Sequence, residues 1–92
     1  MKAKIVILTP VYNDWKNLTK LLTKINNIFK YQIKKKFDLI IINDCSSKNF
    51  NCKKLKSKNI NKLTLISLSK NVGSQRALAI GIKYINRIYK KN

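Results

Sequence analysis

The side chains that could bind or transform a ligand are concentrated in three short polar loops. The first loop, residues 9–14, reads Thr-Pro-Val-Tyr-Asn-Asp; the second, 43–47, reads Asn-Asp-Cys-Ser-Ser; the third, 69–77, reads Ser-Lys-Asn-Val-Gly-Ser-Gln-Arg-Ala. Carboxylates and amides can hydrogen-bond a base or sugar, and a guanidinium can pair with a phosphate. The loops favour a polar, phosphate-bearing ligand. A zinc site is excluded, because two Cys and no His cannot supply about four ligands.

Each loop directly follows an apolar run, and this placement predicts where the loops lie. The runs are residues 4–8, 38–42 and 63–68. A continuous apolar run that ends in Asn, Asp, Ser or Gly is typical of a buried parallel strand where it leaves its sheet. In open α/β sheets, ligands bind just outside the carboxyl ends of the strands. We therefore expect the three loops to lie side by side at one edge of one sheet.

The intervening segments predict helices, so the order of elements is β-α-β-α-β-α in a single domain over residues 1–92. Right-handed crossovers then place the strands in the order 3-2-1. The predicted fold class is α/β: a Rossmann-like, three-stranded parallel half-sheet flanked by helices. Trp15 and Gly81 are interpreted as packing positions. Apolar residues recur at helical spacing at Leu18, Leu21, Leu22, Ile25, Ile28 and Phe29, and again at Ala77, Leu78, Gly81, Tyr84, Ile85 and Ile88.

The first strand has an unusual pattern, because residues 5–8 carry no polar position. This pattern predicts a central strand that is buried on both faces, yet no later segment is expected to cover its free side. An open apolar edge recruits a partner strand or aggregates. We therefore expect either a complementary fragment or self-association through this edge.

The net charge of +18 arises from 21 Lys and Arg against three Asp. Such a charge suits an acidic partner such as nucleic acid, anionic lipid or a phosphate-bearing substrate. The alternative is compositional drift, which we favour because the Lys are scattered over every predicted element; no dedicated nucleic acid partner is expected.

No apolar run approaches the roughly 20 residues of a membrane helix, and the first apolar run is too short for the core of a signal peptide. The expected location is the cytoplasm, with the inner face of the membrane as a narrower option.

The three loops together resemble those of the family-two, inverting nucleotide-sugar glycosyltransferases. Residues 9–14 resemble that family's Pro-x-Tyr-Asn-acidic loop, residues 43–47 its Asp-Asp-Gly-Ser loop, and residues 71–81 its Asn-x-Gly motif with Ala and Gly in the helix. Within the family, the third motif most resembles the polyprenyl- or dolichyl-phosphate sugar synthases. The resemblance implies a glycosyltransferase A-type domain that is truncated here, and a UDP- or GDP-linked sugar as donor.

For the first two loops, the resemblance implies contacts to the nucleoside. Pro10 and Tyr12 would hold the base, Asn13 would shape the turn, and Asp14 would lie near the ribose. Asp44 would accept a hydrogen bond from a ring nitrogen of the base, which suits a carboxylate because it only accepts when ionised. The alternatives are a strand-ending turn for the first loop, a helix-start acid for Asp14, and a turn cap for Asp44.

For the third loop, the residue types and their place before a helix predict contacts to the phosphates. Asn71 and Gly73 come directly before a helix, so Gly73 permits a tight turn and free backbone amides would point into the cleft. Arg76 could meet a diphosphate through its forked guanidinium, and exposure to solvent is the alternative.

The chain also departs from the family pattern. The family's Asp-x-Asp metal motif, its acceptor site and its catalytic base follow a fourth strand that we do not find here, so no catalytic or metal-binding residue is assigned. A divalent metal, Mg or Mn, is expected for the full-length family. Asn43 replaces an Asp, and Cys45 replaces a Gly, which puts a positive φ there in doubt. We expect the isolated chain to be inactive; a piece of a split enzyme and a small basic binding module for nucleic acid or anionic phosphates remain alternatives.

Overall fold

The computed structural model describes residues 4–32 and 34–89, and it contains three strands and two α-helices in the predicted order, with a short 3₁₀ turn where a helix was predicted between the second and third strands. The long β2–β3 connection adds one short 3₁₀ turn, Cys52–Lys54. None of the described helices has the length and apolar character needed to cross a bilayer. The strands are β1 (Ile5–Val11), β2 (Phe37–Asn43) and β3 (Ile60–Ser67), and the helices are α1 (Trp15–Phe29) and α2 (Ser74–Ile88).

The three strands form one parallel sheet in the order β1-β2-β3, which confirms the predicted topology. In the register of the sheet, Leu39 lies between Ile7 on one side and Leu63 on the other. All three strands run in the same direction, so their carboxyl ends lie at the same edge. The three polar loops therefore start from one edge, as expected.

β2 is the centre of the molecule and separates two apolar cores. Phe37, Leu39 and Ile41 point to one face and pack with the buried side chains of α1. Ile40 and Ile42 point to the other face and pack with α2, where Ala77 is fully buried. This is the alternation of a strand covered on both faces, and it explains why β2 reads as a continuous apolar run.

β1 is less buried than its sequence predicts. Ile7 packs on the α1 side and both Val6 and Leu8 pack on the α2 side, so both faces are covered. Ile5 is nevertheless 38% exposed, and only Val11 is buried. Within residues 4–32 and 34–89, β1 pairs with β2 alone, so its second edge is open. β1 is therefore an edge strand of the described sheet, as the predicted strand order requires, and the prediction of an open edge is confirmed.

Gly81 allows α2 to lie close against β1. A Cβ atom at this position would come within 2.5 Å of Cδ1 of Leu8. The interpretation of Gly81 as a helix–sheet contact is therefore confirmed.

Candidate functional site

The three loops remain connected after the strands end. The backbone N–H of Asp44 donates to the carbonyl of Val11 at 2.8 Å, and the N–H of Leu68 donates to the carbonyl of Asn43 at 2.8 Å. These bonds extend the ladder of the sheet by one step on each side of β2. The loops consequently leave the sheet in fixed register.

Asp44 is the best-connected residue of this edge. Its Oδ1 accepts a hydrogen bond from the backbone N–H of Val72 at 2.7 Å, and its Oδ2 accepts from the N–H of Gly73 at 2.9 Å. Asn71 Nδ2 donates to the same Oδ2 and to the main-chain carbonyl of Asp44, both at 3.1 Å. The residue is only 2% exposed. A buried carboxylate needs such donors, and it also complements the positive end of a helix.

The backbone amides of the third loop are not free, as we expected them to be. We expected the amides ahead of α2 to be free and to point into a cleft, but those of Val72 and Gly73 are both donated to Asp44. Gly73 is the N-cap residue of α2, with φ of 91° and ψ of 155°. This conformation is accessible essentially to glycine alone. The Asp44 carboxylate and Gly73 together fix how the chain turns into α2.

Asn13 ties the first loop to the second. Its backbone N–H donates to Ser46 Oγ at 2.8 Å, and its Oδ1 accepts from the N–H of Lys48 at 2.9 Å and from Ser47 Oγ at 3.3 Å. Its φ is 60°, a left-handed value that Asn tolerates better than most residues. Asn13 therefore shapes the first loop by holding it against the second.

Trp15 supports the same junction from beneath. Its ring stacks on Phe50 with centroids 4.9 Å apart, and its Nε1 donates to the carbonyl of Lys48 at 3.0 Å. The side chain is buried in the core formed with α1. Trp15 is a packing residue, as interpreted from the sequence.

The two departures from the family's second loop are accommodated. Cys45 adopts φ of 60° although it is not a glycine, so the doubt about a positive φ at this position is answered. Its thiol is free and exposed. Asn43 Oδ1 accepts a hydrogen bond from the N–H of Ser46 at 3.0 Å, so the amide closes the turn. The positive φ of Cys45 costs roughly 1–2 kcal/mol for a residue with a side chain.

The remaining first-loop residues line a cleft whose lining does not include Asp44. Pro10, Tyr12 and Asp14 line one shallow cleft beside the end of β1. Tyr12 is 55% exposed, and Asp14 Oδ2 accepts from Asn17 Nδ2 at 2.7 Å. Asp14 occupies the N-cap position of α1, but its side chain makes no capping hydrogen bond. The cleft therefore presents an aromatic ring and a carboxylate to solvent.

The predicted site residues therefore fall into groups. Pro10, Tyr12 and Asp14 share the first-loop cleft; Asn71 and Gly73, both exposed, meet the buried Asp44; Asn13 joins the first loop to the second. Arg76 lies exposed on the first turn of α2. Val72, Ser46 and Lys48 were missed; of these only Ser46 had a signal, a hydroxyl in a turn.

No cluster of three or more His, Cys, Asp or Glu side chains that could hold a metal ion occurs within residues 4–32 and 34–89. Both oxygens of Asp44 accept hydrogen bonds from the chain, and Asp14 is bonded to Asn17. The donor set of the described residues does not fit a resident divalent ion.

The comparisons with known proteins complete this picture. The model of glycosyl transferase family 2 matches residues 6–88, a range that includes all three loops and both helices. No match was found among curated proteins or among solved structures. The matched range covers most of the 92 residues. The chain belongs to glycosyl transferase family 2.

Proposed function

We propose that this chain forms the nucleotide-binding part of an enzyme that transfers a sugar from a UDP- or GDP-linked donor. Membership in the family implies glycosyl transfer in general. The observation that carries the narrower proposal is the connected edge, where Asn13 joins the first loop to the second and Asp44 joins the second to the third. A connected edge of this kind is preorganised for a ligand that spans several loops.

The exposed groups of the edge suit the parts of a nucleotide. The Tyr12 ring offers an apolar surface for a base, and Asp14 in the same cleft offers a carboxylate to ribose hydroxyls. Arg76 on the first turn of α2 offers a guanidinium to the diphosphate. The high positive charge favours a phosphate-bearing ligand whichever residues it contacts.

The chain by itself is proposed to be inactive. Its three carboxylates are Asp14, Asp38 and Asp44. Asp44 is buried under three N–H donors, and Asp38 is buried at the amino end of β2. Only Asp14 is exposed at the loop edge, and one carboxylate cannot both hold a metal and act as a base. The sugar-transfer step therefore needs groups from elsewhere, including those that hold the family's Mg or Mn.

The open edge of β1 is proposed as the place where such groups join the chain. A complementary fragment or a second copy would pair with the backbone of β1 and cover Ile5. Light scattering across a salt series tests this, because salt screens the repulsion between chains of charge +18. We expect association as salt rises; a chain that stays monomeric and cooperatively folded at high salt contradicts the proposal.

The acceptor is proposed to be a polyprenyl phosphate, with a glycan as the other option, on the resemblance of residues 71–77 to the lipid-phosphate sugar synthases. A lipid acceptor would place the chain in the cytoplasm at the inner face of the membrane. Binding to vesicles with and without polyprenyl phosphate, at equal anionic charge, separates this acceptor from simple attraction to a charged surface.

Titration calorimetry with UDP and GDP tests the nucleotide proposal. We expect weak binding that is reduced about tenfold in Tyr12→Ala, because an aromatic stack with a base is worth roughly 1–3 kcal/mol. Tyr31→Ala is the matched control, since Tyr31 is 86% exposed and lies beyond the end of α1. Equal affinities of wild type and Tyr12→Ala, or equal losses in both variants, would reject Tyr12 as a base contact.

A further inference from the structure

We propose that the outward face of α1 and the adjoining part of the β2–β3 connection form a contact surface for an anionic lipid bilayer. This surface, named the α1 surface, consists of Ile28 and Tyr31 together with Lys24, Lys30, Lys56 and Lys58. The two apolar side chains enter the headgroup layer, and the lysines pair with lipid phosphates. The inference goes beyond the proposed sugar transfer, because it requires neither a nucleotide nor a lipid acceptor.

Two large side chains at the end of α1 are unusually exposed. Tyr31 is 86% exposed and Ile28 is 68% exposed, the two highest values among the large hydrophobic side chains that the structure describes. The core side of α1 is formed by other residues, including Leu18 and Leu22. A single exposed apolar residue is common on a protein surface, whereas neighbouring ones mark contact sites. The end of α1 is therefore a candidate for a contact with an apolar phase.

Lysines surround these two side chains. Lys24 lies one helical turn before Ile28, and Lys30 places its Nζ 5.4 Å from the centroid of the Tyr31 ring. Both lysines are exposed. Residues 15–36 contain no Asp or Glu, so no carboxylate of this segment competes with a lipid phosphate for their charges.

The β2–β3 connection extends the basic surface beside the end of α1. Lys56 and Lys58 line a shallow cleft together with Lys30 and Asn26. Asn26 Nδ2 donates to the carbonyl of Lys56 at 3.4 Å, which holds the connection against the helix. Residues 45–59 likewise contain no Asp or Glu. The charged side chains of the cleft are therefore all positive, and an anionic headgroup complements them.

The combination of charge and apolar exposure favours a bilayer over other acidic partners. Lysines are spread along the chain, so charge alone does not distinguish this surface. A bilayer offers phosphates at its surface and an apolar boundary about 5–10 Å deeper, which suits lysines around Ile28. The Tyr31 ring joins an apolar body to a polar hydroxyl, as the headgroup layer requires. A second copy of the chain would bring the same positive charge, and a nucleic acid offers phosphates without an apolar layer.

The α1 surface and the candidate nucleotide site are separate but share one helix. No residue of the α1 surface lines the first-loop cleft. Leu21 does line that cleft, and it lies two helical turns before Ile28, roughly 10 Å along the axis of α1. A chain that docks through the α1 surface therefore holds the first-loop cleft close to the headgroups and keeps it available to a nucleotide.

The first experiment measures sedimentation of the full chain with phosphatidylcholine vesicles that contain or lack phosphatidylserine. It compares wild type with Ile28→Ser and with Ile82→Ser, a matched control because Ile82 is 53% exposed on α2. We expect binding to the anionic vesicles that falls about fivefold in Ile28→Ser, since less apolar surface is buried, and that is unchanged in Ile82→Ser. No binding by the wild type, or equal affinities of the two variants, overturns the proposal.

The second experiment separates this surface from the general charge of the chain. The double variant Lys24→Gln/Lys30→Gln is compared with Lys83→Gln/Arg87→Gln, which removes the same charge from exposed positions of α2. We expect at least about a tenfold loss of vesicle binding in the first pair, because each lysine near an anionic surface contributes. The second pair should stay within about twofold of wild type, since long-range charge is screened at physiological salt. Equal losses would show attraction by net charge alone and overturn the proposal.

The third experiment tests insertion and the other occupants. In Tyr31→Trp, fluorescence should be quenched by lipids brominated near the headgroups, whereas Trp15 of the wild type, buried in the core, should not be quenched. Absence of quenching at position 31 overturns insertion. Random-sequence DNA binding that falls by the same factor in Ile28→Ser, or self-association lost in that variant, would identify a nucleic acid or a second copy as the occupant and overturn the bilayer. None of these measurements uses a nucleotide, so they stand or fall separately from the proposed function.

Discussion

Two buried aspartates lie at the two ends of β2, and they are held in different ways. Asp38, at the amino end, is held by side chains from three parts of the chain: it accepts hydrogen bonds from the Tyr89 hydroxyl and from Asn61 Nδ2 at 2.9 Å, and it forms an ion pair with Lys4 Nζ at 3.7 Å. Asp44, just past the carboxyl end, accepts from backbone amides of one loop and from Asn71. The two residues are 3% and 2% exposed, so their burial does not distinguish them.

The difference assigns a different task to each end of the sheet. The side chains around Asp38 join β2 and β3 to the chain end of α2, so their loss should loosen the whole fold. The amides around Asp44 belong to one loop, so their loss should change the shape of that loop in addition to lowering stability. The contacts of Asp38 therefore serve stability alone, whereas those of Asp44, just past the other end of β2, serve both stability and the shape of a loop at the candidate site.

Removal of the Asp44 carboxylate should give the largest effect. In Asp44→Ala, the amides of Val72 and Gly73 lose their acceptor, and we expect a loss of roughly 2–4 kcal/mol in the free energy of unfolding. Urea denaturation followed by circular dichroism measures it. Asn71→Ala is the milder companion, because it removes one neutral donor and leaves the carboxylate. A smaller loss in Asp44→Ala than in Asn71→Ala would contradict the assignment.

Gly73→Ala should give the next largest effect, a loss of roughly 1–3 kcal/mol, because φ of 91° is strained for any residue with a side chain. Gly81→Ala is the informative control, since its cost comes from the Leu8 side chain 2.5 Å from the added Cβ. A second substitution, Leu8→Ala, should partly compensate Gly81→Ala and should not compensate Gly73→Ala. Equal compensation in a double-mutant cycle would show that the account of Gly73 is wrong.

The contribution of Asp38 to stability should depend on pH. Burial alone raises the pKa of Asp38, but hydrogen bonds from Tyr89 and Asn61 and the charge of Lys4 outweigh it and hold the pKa below 3.8. Ionised Asp38 therefore stabilises the fold above about pH 4, and this contribution is lost as pH falls through the lowered pKa. Asp38→Asn should be less stable than wild type at pH 7 by roughly 1–2 kcal/mol, and the difference should shrink below pH 4. A difference that is constant down to pH 2 would contradict this.

Tyr89, which donates a hydrogen bond to Asp38, has a raised pKa and should affect stability at alkaline pH. Burial, the hydrogen bond to Asp38 and the charge of Asp38 raise the pKa of Tyr89 to about 12 from 10.0. Its contribution is present below about pH 10 and is lost as pH rises toward 12. In Tyr89→Phe, the alkaline loss of stability over that range should be smaller than in wild type. Tyr12→Phe is the control at an exposed tyrosine, and an equal reduction there would remove Tyr89 from the account.

Cys45→Gly should give the smallest effect. Glycine relieves the φ of 60° but has more freedom in the unfolded chain, so we expect a change between zero and about 1 kcal/mol in favour of the variant. Cys45→Ala keeps the strain and removes the thiol, so it should not stabilise. Thermal unfolding of the three proteins checks both expectations.

The strands and their order could be predicted because apolar runs and right-handed crossovers determine them. The Asp44 contact could not, because its donors at Val72 and Gly73 are backbone amides, which every residue except proline carries. The left-handed φ of Cys45 could not be predicted either, because it runs against the conformational preference of a residue with a side chain. The partial burial of β1 depends on pairing partners, and the sequence of residues 5–8 does not contain that information.

Chemical-shift mapping of the wild-type chain with UDP and GDP tests the central claim most directly. The account predicts shifts in residues 9–14, 43–48 and 69–77 that saturate together, with the Asp38 end of the sheet unchanged. Inorganic pyrophosphate should shift the third of these segments and leave the first unchanged, because only the nucleoside reaches Tyr12 and Asp14. Shifts spread over the Lys side chains of α1 and the β2–β3 connection, the same for pyrophosphate as for UDP, would show that charge alone binds the ligand and would contradict a nucleotide site at this edge.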